Sequence, residues 1–138
     1  MYSLGIDIGS SSVKVVLINQ EFNLEFKKYT LHKGKPKKVL ADILNQDLQR
    51  YSDKIKSALI TGKGAEFLKK EDDIKYINEL TCISEGIKFS SLDVKSIIEI
   101  GGQSSKFISN FDIRDSSKIK FALNSNCSAG TGSFLEDQ

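Results

Sequence analysis

The feature that most constrains this chain is an internal repeat. Ile6-Asp7-Ile8-Gly9-Ser10-Ser11-Ser12-Val13-Lys14 returns as Ile98-Glu99-Ile100-Gly101-Gly102-Gln103-Ser104-Ser105-Lys106. At one constant spacing, Ile6, Asp7, Ile8, Gly9, Ser12 and Lys14 are matched by Ile98, Glu99, Ile100, Gly101, Ser104 and Lys106. Each copy reads as an apolar strand carrying an acid, a glycine turn, and a second apolar strand carrying a lysine. Solenoid repeats are shorter and recur at least three times, so this long spacing points to two related halves. Two glycine turns with carboxylates, brought face to face, would make a cleft for a phosphate chain and its metal ion.

Each turn holds residue types suited to an anion. Glycine permits positive φ and close approach by phosphate oxygens, and successive backbone N–H groups form anion-binding concavities. Gly9 with Ser10, Ser11 and Ser12 adds three hydroxyls; Gly101, Gly102, Gln103 and Ser104 form the second turn. Asp7 and Glu99 end apolar strands, where a carboxylate needs a metal, water or a basic partner. Lys14 and Lys106 are placed to meet phosphate or to stand in solvent. Thr61-Gly62-Lys63-Gly64 follows a strand and precedes a helix, a place where a turn lines a ligand cleft. It is not a Walker loop, and no G-x-G-x-x-G follows a strand.

The wider pattern predicts an α/β fold around a mixed sheet, with a βββαβα first half and a truncated second half. Strands are expected at Leu4–Ile8, Val13–Asn19, Leu24–His32, Ser57–Thr61, Ser96–Gly101, Lys106–Asn110 and Ile119–Leu123. Pro36 opens a helical stretch whose face runs through Val39, Leu40, Ile43, Leu44, Leu48, Tyr51 and Ile55. Shorter helical pieces are expected at Ala65–Lys70 and Ile77–Phe89. The division falls into 1–94, a first subdomain with the first turn, and 95–138, the start of a second with the second turn and a cysteine loop.

Composition sets outer limits. With 138 residues, 39% apolar and 28% charged, the chain reads as globular and as one domain or two small ones. A net charge of +2 gives no global reason to expect nucleic acid. Lys33-Gly34-Lys35-Pro36-Lys37-Lys38 reads as a solvated turn. The first residues do not make a signal peptide, no apolar run approaches a membrane span, and a cytoplasmic setting with reduced thiols is expected. His32 is the sole histidine, which disfavours a Ser/His/Asp triad. Cys82 reads as a helical core residue. Cys127 lies in a loop of small polar residues, either as a small buried thiol or as a thiolate ligand to a soft metal or iron–sulfur cluster.

The repeated acid-glycine turns resemble the two phosphate motifs of the superfamily of acetate and sugar kinases, actin and chaperone ATPases. Ile98–Gln103 together with Asn126-Cys127-Ser128-Ala129-Gly130-Thr131-Gly132-Ser133-Phe134-Leu135 looks like the ATP-dependent activators of 2-hydroxyacyl-CoA dehydratases, grouped with the benzoyl-CoA reductase ATPase subunits. The resemblance runs from Tyr2 to Gln138 and implies an actin-like, ribonuclease H-like ATPase fold. It implies ATP and Mg²⁺ bound between two halves. It implies a homodimer sharing one [4Fe–4S] cluster, and electron delivery to a dehydratase partner. By position, Asp7, Gly9, Ser12 and Lys14 would serve the first phosphate turn and Glu99, Gly101, Gly102 and Gln103 the second, with Cys127 as a cluster ligand.

Three departures stand out. Ser104 replaces the acid usual after Gly-Gly-Gln, the second cluster cysteine and the adenosine motif are absent, and Ile83 stands where a histidine is common. The chain is therefore expected to be the amino-terminal part of a longer protein. A small-molecule kinase of the same superfamily and a non-catalytic nucleotide-sensing domain are the rival readings.

Overall fold

The computed structural model describes residues 1–68, 74–90, 92–111 and 119–124. The chain divides into two compact units, Met1–Cys82 and Ile83–Gln138.

The first unit opens with three antiparallel strands, β1 (Tyr2–Ile8), β2 (Ser12–Asn19) and β3 (Leu24–Leu31). Their period-two pattern sets the buried face: Leu4, Ile6 and Ile8 of β1 and Val13, Val15 and Leu17 of β2 are enclosed. The chain then turns at His32–Lys35 into helix α1 (Pro36–Asp42), with Pro36 in the first turn, where its missing N–H costs nothing. After α1 the chain returns through two tighter and looser turns to β4 (Ile55–Thr61), which lies parallel to β1. A short 3₁₀ segment (Lys63–Leu68) leads on to β5 (Lys75–Tyr76), which pairs parallel with β4. The sheet order is β3-β2-β1-β4-β5. Leu40, Ile43 and Leu48 cover the Ile6–Ile8–Val15 face and, with Ile60 and Ala65, close one core. Each such aliphatic side chain taken from water contributes about 1.5–3 kcal/mol. Helix α2 (Glu79–Phe89) follows, and the two units divide within it.

The second unit contains β6 (Ser96–Ile100), β7 (Ser105–Ser109) and β8 (Lys120–Asn124), an antiparallel meander in the order β6-β7-β8. Ile108 and Phe111 are its fully enclosed side chains among the described residues.

The mixed sheet and the antiparallel opening agree with the sequence. Three details differ. The helical face does not run through to Ile55. The α-helix stops at Asp42, a π-turn (Ile43–Asp47) follows, and a 3₁₀ segment (Gln49–Lys54) ends at Ile55, the first residue of β4. The wider turn brings Leu48 N–H to the Ile43 carbonyl at 3.1 Å and keeps both side chains buried. The piece expected at Ala65–Lys70 is a 3₁₀ segment that starts earlier, at Lys63. Strand β5 interrupts the expected βββαβα order, because tertiary pairing with β4 recruits two residues that have no periodicity of their own. Cys82 is half-buried, not core, since α2 buries no residue completely.

Candidate functional site

Hairpin register builds the first turn. Pairing Ile8 with Val13 leaves Gly9–Ser12 to reverse the chain, and Gly9 N–H closes it on the Ser12 carbonyl at 2.9 Å. The same register sets Asp7 opposite Lys14, so both side chains leave one face of the sheet. Lys14 Nζ donates to Asp7 Oδ2 at 2.7 Å, with the two side chains 46% and 33% exposed. The pair is open to water, and its attraction is correspondingly modest.

The second turn repeats this arrangement. Gly101 N–H donates to the Ser104 carbonyl at 2.8 Å, and Glu99 pairs in register with Lys106. Lys106 Nζ donates to Glu99 Oε2 at 2.6 Å. Here the lysine side chain is only 10% exposed while the carboxylate is 33% exposed. Gly102 and Gln103 form the tip.

Ser10 and Ser11 are exposed at the tip of the first turn, whereas Ser12 is buried. The amides of Ser10 and Ser11 have no protein acceptor among the described residues. Gly9 is informative because the fold does not require a glycine there. It avoids the left-handed region, and a Cβ built on it would come no closer than 3.5 Å to another atom, the Ser12 carbonyl oxygen. A bare Cα at such a position suits close approach from outside the chain.

The Thr61–Gly64 turn lies directly against the first site. Gly62 has φ of +97°, and a Cβ on it would sit 2.2 Å from the Ile8 carbonyl oxygen and 2.7 Å from Asp7 Oδ1. Only glycine permits this approach. Thr61 is the register partner of Asp7 on β4, and its Oγ1 is buried with no hydrogen-bond partner among the described residues. Such an orphan is uncommon. Beyond it, burial pushes the Tyr76 phenol up, helped by the negative charges of Glu79 and Asp7.

These donors fit a phosphate chain with a hydrated cation. Among the described residues no three His, Cys, Asp or Glu side chains converge on one point. Each turn offers one carboxylate, with one oxygen engaged by lysine. That set suits contact with the waters of Mg²⁺, which dehydrates reluctantly, and not a cage of protein ligands. Cys127, and with it the expected cluster loop, lies outside the described residues.

The structure thus groups Asp7, Gly9, Ser10, Ser11, Ser12 and Lys14 at one turn, and Glu99, Gly101, Gly102, Gln103, Ser104 and Lys106 at the other. The sequence reading singled out the Thr61–Gly64 turn without its hydroxyl, and missed Tyr76 and the buried ring of His32 behind the first turn. The one available signal was a lone histidine at a strand end, before Lys33-Gly34.

Known proteins are similar to this chain. Over 139 residues the chain is 34% identical to the 2-hydroxyisocaproyl-CoA dehydratase activator of Clostridioides difficile, covering 99% of this chain and 50% of that protein. It is 34% identical over 140 residues to the activator of lactoyl-CoA dehydratase of Anaerotignum propionicum, covering 99% and 52%. Its fold superposes on the solved activator of the 2-hydroxyisocaproyl-CoA dehydratase from Clostridium difficile with bound ADPNP. That match has a TM-score of 0.81 at 31% identity and covers 99% of this chain and 50% of that one. The chain therefore spans about half the length of the curated relatives it matches, and its first unit and second meander are those of an actin-like ATPase fold. Residues 4–137 match the BadF/BadG/BcrA/BcrD ATPase family, and the chain belongs to that family.

Proposed function

We propose that this chain is the amino-terminal part of an ATP-dependent activator of a 2-hydroxyacyl-CoA dehydratase. The observation that carries the reading is the duplicated turn: two hairpins with an acid, a lysine partner and a glycine reversal at matched positions. The family assignment and the ADPNP bound to the superposable activator support it.

In this reading both turns serve one ATP. The amides of Ser10 and Ser11 hold phosphate oxygens in place, and the turn of Gly101, Gly102 and Gln103 lines the same phosphate chain. Preorganised N–H donors of this kind stabilise charge that develops on the phosphoryl group. Lys14 and Lys106 pair with Asp7 and Glu99 and orient them toward metal-bound water. Bound Mg²⁺ supplies neutralisation of phosphate charge. Cys127 would hold a [4Fe–4S] cluster shared across a homodimer, and that cluster would supply the low-potential electron. A thiolate loop sets this reading apart from a small-molecule kinase, which needs no thiol there. The division into functional subdomains at 1–94 and 95–138 and a cytoplasmic setting belong to the same proposal. No helix among the described residues is long and apolar enough to cross a membrane.

The test is iron and acid-labile sulfide in the anaerobic full-length gene product, before and after Cys127→Ala. About four irons per dimer, lost in the variant, is the expected result. A well-folded anaerobic preparation without iron would overturn the electron-transfer reading. Ser104 favours a second reading, nucleotide sensing without turnover, since it stands where an acid is usual. Its carbonyl, not its side chain, closes the turn, so Ser104→Asp leaves the reversal intact. A gain of hydrolysis in that variant supports the sensing reading, and unchanged turnover counts against it.

A further inference from the structure

The first turn has a support that the acid–lysine pair does not explain. His32 is the only histidine in the chain and is 7% exposed, at the end of β3. Both ring nitrogens are engaged. Gly34 N–H donates to Nδ1 at 3.1 Å, which requires that nitrogen to be bare. The ring proton of the neutral histidine is therefore on Nε2, which donates to the Gly9 carbonyl oxygen at 3.3 Å. The backbone N–H of His32 donates to the Ser11 carbonyl at 3.0 Å. With the Gly9-to-Ser12 bond, the carbonyls of Gly9, Ser11 and Ser12 all accept from donors inside the protein. The Ser10 and Ser11 amides do the opposite and find no protein acceptor among the described residues.

The backbone around His32 serves this placement. Lys33 and Gly34 have φ of 46° and 79°, and Lys35 N–H returns to the His32 carbonyl at 2.8 Å. This is a tight mirror-image turn that holds a lysine in the left-handed region. The corner brings Gly34 N–H onto Nδ1 and so fixes which tautomer the ring adopts.

We infer that His32 is a positioning residue: its Nε2–H tautomer clamps the Gly9–Ser12 turn so that the Ser10 and Ser11 amides stand ready for the oxygens of a polyphosphate chain. This rests on the reading of that turn as a phosphate site. Two conservative variants separate the contacts. His32→Gln keeps a donor within reach of Gly9, and His32→Asn keeps only an acceptor for Gly34.

The experiment is an NMR titration of the ¹⁵N-labelled 138-residue chain with inorganic tripolyphosphate, following the Ser10 and Ser11 amides and the ring nitrogens of His32. The wild type is expected to show the Nε2–H tautomer and movement of both amides. His32→Gln is expected to bind as the wild type does. His32→Asn is expected to bind about tenfold more weakly, the loss of one hydrogen bond. A purely structural histidine would lower the melting temperature without splitting the two variants in affinity. Equal affinities in the two variants, or an Nδ1–H tautomer, would overturn the role of His32 alone. No movement of Ser10 and Ser11 in the wild type would overturn the phosphate reading of this turn and the inference with it.

Discussion

The two copies of the repeat fold into the same hairpin and bury opposite faces of it. In the first, Ile6, Ile8 and Val15 are enclosed at 4%, 0% and 0% exposure, while on the acid's face Val16 is 40% exposed. In the second, the matching Ile98, Ile100 and Phe107 stand at 70%, 54% and 42%, while Ile108, the match of Val16, is fully enclosed. The turns do not register this inversion: Gly9-to-Ser12 and Gly101-to-Ser104 close at 2.9 and 2.8 Å, and both acids meet their lysines. The site is thus a property of hairpin register, while the buried face is set by what packs on the sheet. In the first unit that is α1 and the turns after it, through Leu40, Ile43 and Leu48. In the 138-residue chain the same turn closes whichever face of the hairpin is enclosed.

The most severe test of the inversion exchanges matched positions. Ile6→Ala and Ile108→Ala are each expected to cost about 2–5 kcal/mol in denaturant unfolding of the 138-residue chain. Their counterparts, Ile98→Ala and Val16→Ala, are expected to stay within about 0.5 kcal/mol. Similar costs at Ile6 and Ile98 would mean that the two faces are not inverted.

The lysines should differ in the same sense but less. Lys14 sits in water, and Lys14→Met is expected to cost under about 1 kcal/mol. Lys106 is nearly enclosed, so Lys106→Met removes the cation paired with Glu99 and is expected to cost about 1–3 kcal/mol. Equal unfolding midpoints would show that burial does not separate the pairs.

Gly9→Ala sharpens the claim that the turn is shaped for a ligand. No atom crowds a Cβ there, so the unfolding midpoint is expected to stay within about 0.5 kcal/mol of the parent. ATP affinity of the full-length protein is expected to fall in the same variant. A stability loss without an affinity loss would assign Gly9 to the fold.

Much of this was legible in the sequence. Alternating apolar residues on either side of a four-residue reversal put position 7 opposite 14 and 99 opposite 106. The ion pairs themselves were not legible, the lysines being expected to meet phosphate or to stand in solvent. The mixed sheet followed from a meander running into α/β alternation. The inverted burial did not, because β6 carries apolar residues toward both faces, at Ile97, Ile98 and Ile100, and only packing chooses between them. Strand β5 and the π-turn after α1 are likewise tertiary choices. The clamp at His32 hides for another reason: it depends on a ring tautomer fixed by Gly34 and on a carbonyl more than twenty residues away in sequence.

The central claim is that both turns serve one nucleotide, and a double-mutant cycle measures it. ATP affinity would be determined by calorimetry for the full-length protein, for Asp7→Asn, for Glu99→Gln and for the two combined. If the turns share one phosphate–metal unit, the combined loss should depart from the sum of the single losses by about 0.5–3 kcal/mol. Strict additivity, or loss from one acid alone, would contradict the account and make the repeat two separate structural hairpins.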